Sequence, residues 1–171
     1  MINYDLKKIK ALVFDVDGVL SSASTFILVD GELMRSSNVK DGYAIQLAVK
    51  KGFEVGIITG GYSREVIKRY ENLGVKHIYP GSWHKLDDYK DFLKKTHLKD
   101  KNVMYCGDDI PDYHVMKEVG LPVAPADAAP DIKKIAKYIS PFIGGDGVAR
   151  DIIEQVLKFH GLWMNEDAFS W

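Results

Sequence analysis

The sequence predicts an α/β fold, a Rossmann-like parallel sheet with helices on both faces. Short unbroken apolar runs recur at residues 11–14, 55–58, 103–106 and 121–124, and strands apolar on both sides belong to sheets covered on both faces. Segments with the apolar spacing of helices separate these runs. Polar clusters stand directly after the first three runs, where the carboxyl ends of parallel strands bind ligands.

Taken in order, Ala11 to Phe14 is the first strand, and Asp15 and Asp17 come next. The stretch TFILVDGELMR, about residues 25–35, breaks the rhythm and reads as a protruding β-hairpin turning at Asp30-Gly31. Its first arm is apolar from Phe26 to Val29, so both of its faces need cover, from another subunit or from its own domain. A helix over Tyr43 to Val49 ends before Gly52. The second strand delivers Thr59-Gly60-Gly61. Ser63 then caps a helix through Val66, Ile67, Tyr70 and Leu73, with Gly74 as its stop, and a short strand fills the space before Lys85. Leu86, Tyr89, Phe92 and Leu93 make the next helix. The third strand delivers Gly107-Asp108-Asp109, with Asp112 three residues on. Pro111 and Pro130 each open a helix, running to Gly120 and Ala136, and a last amphipathic helix spans Val148 to His160. Residues 161–171 form a tail carrying Phe169 and Trp171, aromatics that need a surface.

The 171 residues suit one domain able to bury about two-thirds of its unfolded surface. With 23 basic and 24 acidic residues there is no electrostatic footprint for nucleic acid or an anionic membrane. The single cysteine, Cys106, lies in an apolar run, as expected of a buried strand residue in a reducing compartment. No signal-type h-region and no run of about 18 apolar residues is present, so a cytoplasmic protein is expected. The histidines lack zinc-site spacing.

Each polar cluster alone has an ordinary explanation: Asp-x-Asp-Gly and Gly-Asp-Asp make turns, and a lone lysine is usually solvated. The fold, however, brings all of them to one sheet edge. Carboxylates gathered there repel unless a hard cation with oxygen ligands joins them, and Mg²⁺ is the natural candidate. A carboxylate beside Mg²⁺ can attack phosphorus while a hydroxyl and an ammonium hold the phosphoryl oxygens, which suits Asp15, Thr59 and Lys85. Asp17, two residues on, is placed to move protons as general acid and base.

DVDGVL, IITG, the lysine of GSWHK and GDDIPD resemble, in order and spacing, the four motifs of the haloacid dehalogenase superfamily of phosphatases. The resemblance implies that Asp15 forms an aspartyl-phosphate and that Asp17 is the acid/base and a metal ligand through its carbonyl. It also implies that Asp15 and Asp108 ligate Mg²⁺, that Thr59 and Lys85 hold phosphate, and that Asp109 and Asp112 support the metal and Lys85. Longer stretches, among them SSNVKDGYAIQLAVKKG and MYCGDDIPDYHVMKEVGLPVAPADAAP, are similar to the 3-deoxy-D-manno-octulosonate 8-phosphate phosphatase family over residues 10–158. That family releases phosphate from an eight-carbon acid sugar, KDO, in lipopolysaccharide precursor synthesis. It implies substrate contacts from Asp17, Asn38, Lys40, Asp41, Gly42, Gly60, Arg69 and Lys85. It also implies a capless homotetramer whose subunits close one another's sites, with the tail at a neighbouring mouth.

Two gaps agree with a capless form: 41 residues separate Asp17 from Thr59 and 25 separate Thr59 from Lys85, too few for a cap domain beside the predicted elements. The chain departs from the pattern at Gly61 and Gln46, where many relatives carry arginine. A nine-carbon nonulosonate 9-phosphate is the nearest alternative substrate. A phospho-acceptor receiver domain shares the fold class and residue types, but there the paired acids come first and the phosphoacceptor after the third strand.

Overall fold

In the computed structural model, which describes residues 1–170 except the Asp167 side chain, the run Ala11–Phe14 forms β1 with every residue buried. Trp171 lies outside the described residues. The other apolar runs become β4 (Glu54–Thr59), β6 (Val103–Cys106) and β7 (Leu121–Ala124). Two further strands complete the sheet: the short β5 (His77–Pro80), and β8 (Tyr138–Ile139), which no apolar run announced. The order is β5-β4-β1-β6-β7-β8, all parallel.

Side chains alternate across β1. Leu12 and Phe14 enter one core layer with Ile45, Leu47, Ile152 and Val156, beneath α1 (Val39–Lys50) and α6 (Val148–Phe159). Val13 enters the opposite layer with Tyr89, Phe92, Met116 and Ile132, contributed by α3 (Lys85–Thr96), α4 (Tyr113–Glu118) and α5 (Pro130–Ile135). Burial on both sides is why the strands lack polar alternation.

Helix α1 starts four residues before the apolar spacing alone indicates. The Asn38 side chain accepts from the Lys40 and Asp41 N–H groups at 2.9 and 3.3 Å, an N-cap that the periodicity does not register. Ser63 caps α2 (Arg64–Glu71) as expected, accepting from Val66 at 3.3 Å. Pro111 does not open an α-helix: it sits in a 3₁₀ turn, Ile110–Asp112, and α4 comes after it. Between β1 and β4 lie only the hairpin and α1, and between β4 and α3 only α2 and β5.

The hairpin pairs β2 (Phe26–Ile27) with β3 (Leu33–Met34). Phe26 is 72%, Ile27 77% and Val29 110% exposed, so among the described residues the expected apolar arm stays uncovered. The tail behaves differently. Leu162 and Trp163 pack on the core, the Tyr43 hydroxyl donates to the Ala168 carbonyl, and the Trp163 ring lies 4.6 Å from the Arg150 guanidinium. Phe169 remains exposed.

Candidate active site

The chain runs from β1 through α1 to β4 and β5 on one side, then crosses to β6 and β7 on the other. β1 is therefore the switch point, and the crevice beyond its carboxyl end collects the loops that leave β1, β4 and β6. A cavity of about 470 Å³ opens there, lined by Asp15, Asp17, Thr59, Gly60, Gly61, Lys85, Asp108, Asp109 and Asp112, with Ser82 and Trp83 at its side.

Asp15 continues the ladder, its N–H donating to the Cys106 carbonyl at 3.0 Å, while its own Oδ1 accepts from the Val16 N–H at 2.7 Å. Lys85, at the first position of α3, places its ammonium 2.7 Å from both Asp15 Oδ2 and Asp112 Oδ1. Tyr105 donates to Asp112 at 2.6 Å, and the Asp108 N–H donates to the other Asp112 oxygen at 3.2 Å. Asp112 thus ties β6 and α3 into one network. Thr59 is buried, and its hydroxyl oxygen accepts from the Gly61 N–H at 3.3 Å, which leaves the hydroxyl proton available to a ligand.

Carboxylate oxygens of Asp15, Asp108 and Asp112 lie within 4.8 Å of one another. Burial first, and then Asp112, pushes the Asp15 carboxyl up to about 8, even though Lys85 and the Val16 N–H pull it down. The same two causes push Asp108 up to about 7. Burial alone would lower the Lys85 ammonium, but Asp112 and Asp15 reverse this and raise it. A hard, all-oxygen donor set whose acids resist ionisation is what an oxygen-seeking divalent cation relieves, so the residues fit Mg²⁺. Gly18 belongs to this arrangement: at φ +81°, a Cβ there would lie 2.0 Å from Asp108 Oδ2, so only glycine lets the β1 loop meet the β6 carboxylate. Burial raises the Cys106 thiol well above its ordinary range, which makes it an inert strand residue.

The Asp17 side chain stands apart from the three carboxylates. Its two oxygens accept from Arg35 Nε at 2.7 Å and Nη2 at 3.0 Å. Arg35 went unread in the sequence because it stands after the hairpin as a lone cation in no motif. Tyr105 and Trp83 were likewise unread, one hidden in an apolar run and the other beside the signalled Lys85.

Of the remaining expected substrate contacts, Gly60 lines the cavity, whereas Asn38, Lys40, Asp41, Gly42 and Arg69 are not among its lining residues. Asn38 and Lys40 face a second cavity with Arg150 and Lys158. Asp41 is buried, accepting from the Arg150 N–H at 2.6 Å. Arg69 lies over Gly42, where a Cβ would be 2.3 Å from its guanidinium, and donates to the Ser37 hydroxyl at 3.2 Å.

Residues 75–152 match the haloacid dehalogenase-like hydrolase family. The 3-deoxy-D-manno-octulosonate 8-phosphate phosphatase of Escherichia coli K12 is 40% identical over 155 residues, 91% of this chain and 82% of that protein. A crystal structure of the phosphatase from Yersinia pestis superposes with a TM-score of 0.88 at 35% identity, covering 92% of this chain and 85% of that one. The phosphatase from Moraxella catarrhalis, solved in complex with a magnesium ion, a phosphate ion and KDO, gives 0.87 at 32% identity over 96% of this chain and 92% of that one. These matches set the receiver-domain alternative aside. The chain belongs to the 3-deoxy-D-manno-octulosonate 8-phosphate phosphatase family of haloacid dehalogenase-like hydrolases.

Proposed function

We propose that this chain hydrolyses 3-deoxy-D-manno-octulosonate 8-phosphate to KDO and phosphate through an aspartyl-phosphate on Asp15. The observation that carries this is the meeting of Asp15, Thr59 and Lys85 with Asp108 and Asp112 in one cavity at the sheet switch point.

In this mechanism an Asp15 carboxylate oxygen attacks phosphorus, and the ester oxygen of the sugar leaves as Asp17 gives it a proton. The Thr59 hydroxyl and the Lys85 ammonium hold the phosphoryl oxygens as charge shifts. Asp17 then takes a proton from water, whose oxygen attacks the phosphoryl group and restores Asp15. Asp15 and Asp108 would hold Mg²⁺, with the Asp17 carbonyl, while Asp112 and Asp109 support Lys85 and the metal loop. When bound, the cation supplies the positive charge that lets these acids ionise together and polarises the phosphoryl oxygens.

Gly60 and Lys85 meet the phosphate end of the substrate from within the chain. Contacts from Asn38, Lys40 or Arg69 would be made across a subunit boundary, in a homotetramer that covers the exposed hairpin and closes the cavity against water, whereas Asp41 and Gly42, both buried, would act by holding this end of α1 in place. A cytoplasmic location agrees with the substrate's role as a precursor; among the described residues no helix is long and apolar enough to cross a membrane.

Phosphate release from KDO 8-phosphate and from a nonulosonate 9-phosphate, with Mg²⁺ and with chelator, tests the proposal. Higher kcat/KM on the eight-carbon ester, lost with chelator and in Asp15→Asn, is expected. A preference for the nine-carbon ester would overturn the substrate, and an active Asp15→Asn the covalent route.

A further inference from the structure

Asp17 carries no metal-facing carboxylate and no partner besides Arg35 among the described residues, so its orientation rests on that one guanidinium. The two bonds run from Nε and Nη2 to separate oxygens, a fork that fixes the carboxylate plane as well as its position. The Arg35 side chain is only 10% exposed, while that of Asp17 is 37% exposed and lines the cavity. An arginine so withdrawn from water is committed to its partner, unlike a surface ion pair that forms and breaks at little cost. The other cation of the cavity, Lys85, is occupied by Asp15 and Asp112.

The slot that receives Arg35 depends on Gly61. Arg35 borders a small void that Val16, Val66, Ile67 and Pro80 also line, and a Cβ on Gly61 would lie 2.6 Å from Arg35 Nη2 and 3.3 Å from Asp17 Oδ2. The side chain missing at position 61 is thus the space that a residue 26 positions earlier fills. Gly61 needs no unusual backbone angle, so its lack of a side chain serves room alone.

We propose that Arg35 is the positioning residue for the acid/base of this site, holding Asp17 at the leaving oxygen from the end of the hairpin. The inference rests on the proposed role of Asp17 in moving the proton. A proton donor displaced by about 1 Å loses on the order of 10²-fold in rate, and the loss is felt only where the departing group needs a proton.

That selectivity supplies the test. KDO 8-phosphate departs as an alkoxide that needs protonation, whereas p-nitrophenyl phosphate departs as a stabilised phenolate. The quantity to measure is the ratio of kcat/KM on the sugar ester to that on the aryl ester. It is measured in the wild type and in Asp17→Asn, Arg35→Ala, Arg35→Lys and Gly61→Ala, after checking folding by thermal melting. Arg35→Ala is expected to lower the ratio at least about tenfold. Gly61→Ala, whose Cβ would press the tip of Arg35 at 2.6 Å and, less closely, the Asp17 carboxylate at 3.3 Å, is expected to do the same without unfolding the chain, and Arg35→Lys to fall between. If Asp17→Asn lowers the ratio but Arg35→Ala and Gly61→Ala reduce both esters equally or neither, Arg35 is structural and the inference is overturned. If Asp17→Asn itself leaves the ratio unchanged, the acid/base role fails and the inference with it. Should Arg35→Ala not fold, Arg35→Lys decides, because it leaves Asp17 and its neighbours unchanged: an unchanged ratio there overturns the inference.

Discussion

Replacing Lys85 with methionine keeps the unbranched stem and removes the terminal ammonium, its charge and its three donors together. The Lys85 side chain is 4% exposed and its ammonium lies 2.7 Å from both Asp15 and Asp112, so the variant leaves two buried carboxyl groups facing each other. Removing one partner from a buried ion pair costs about 3–5 kcal/mol, and the carboxylates escape part of that cost by taking up protons. The sign comes from linkage. Asp15 sits at about 8 with Lys85 pulling it down, so without Lys85 it moves higher and keeps its proton beyond the pH at which the wild-type group ionises. A carboxyl raised above its unfolded value of 3.8 holds extra protons when folded, and stability falls as pH climbs through that window. Urea unfolding in chelator should therefore show a deficit near 3–5 kcal/mol at about pH 8.5 and a smaller one at about pH 6. With saturating Mg²⁺, phosphate release should fall at least about 100-fold, because an electrostatic donor to the transferring group is gone. Equal deficits at both pH values, or turnover within about threefold of wild type, would refute the placement of Lys85 between the two acids.

Gly18→Ala should weaken activation by Mg²⁺ at least about tenfold in a metal titration of activity, since the new Cβ displaces the Asp108 carboxylate and strains a φ of +81°. Asp41→Asn should abolish a pH dependence: burial pushes Asp41 up to about 6 from 3.8, so wild-type stability should drop by about 3 kcal/mol between about pH 4 and 6. The asparagine variant, which keeps the acceptor for the Arg150 N–H, should unfold in urea without that slope. Phe26→Ser with Val29→Ser should shift the protein toward monomer in sedimentation, each lost apolar contact contributing about 1.5–3 kcal/mol.

The sheet was legible because its strands are buried on both faces, so runs such as VMYC carry no polar residue to blur them. Strand β8 was not: its two residues sit at an edge, with Tyr138 half-buried and Ile139 exposed. Asp15, Thr59, Lys85 and Asp108 could be read because each stands at the end of a strand or the start of a helix, where the fold dictates position. Arg35 could not be, since its reach toward Asp17 depends on how the hairpin leaves the domain. The cap by Asn38 was missed for a different reason: an N-cap side chain adds to no apolar stripe.

The hairpin and the acid/base are features of one segment. Arg35 stands directly after β3, and the apolar arm that precedes it pairs with β3 but is otherwise largely exposed among the described residues. A segment with so few contacts opens easily by itself, yet general acid catalysis needs its donor held to within a fraction of an ångström. Cover for Phe26, Ile27 and Val29 would therefore do two things at once, removing apolar surface from water and restraining the chain that carries Arg35. If that coupling holds, the Phe26→Ser, Val29→Ser variant should lose the sugar ester more than the aryl ester although neither residue reaches the cavity. Loss of both esters alike would confine the hairpin to assembly.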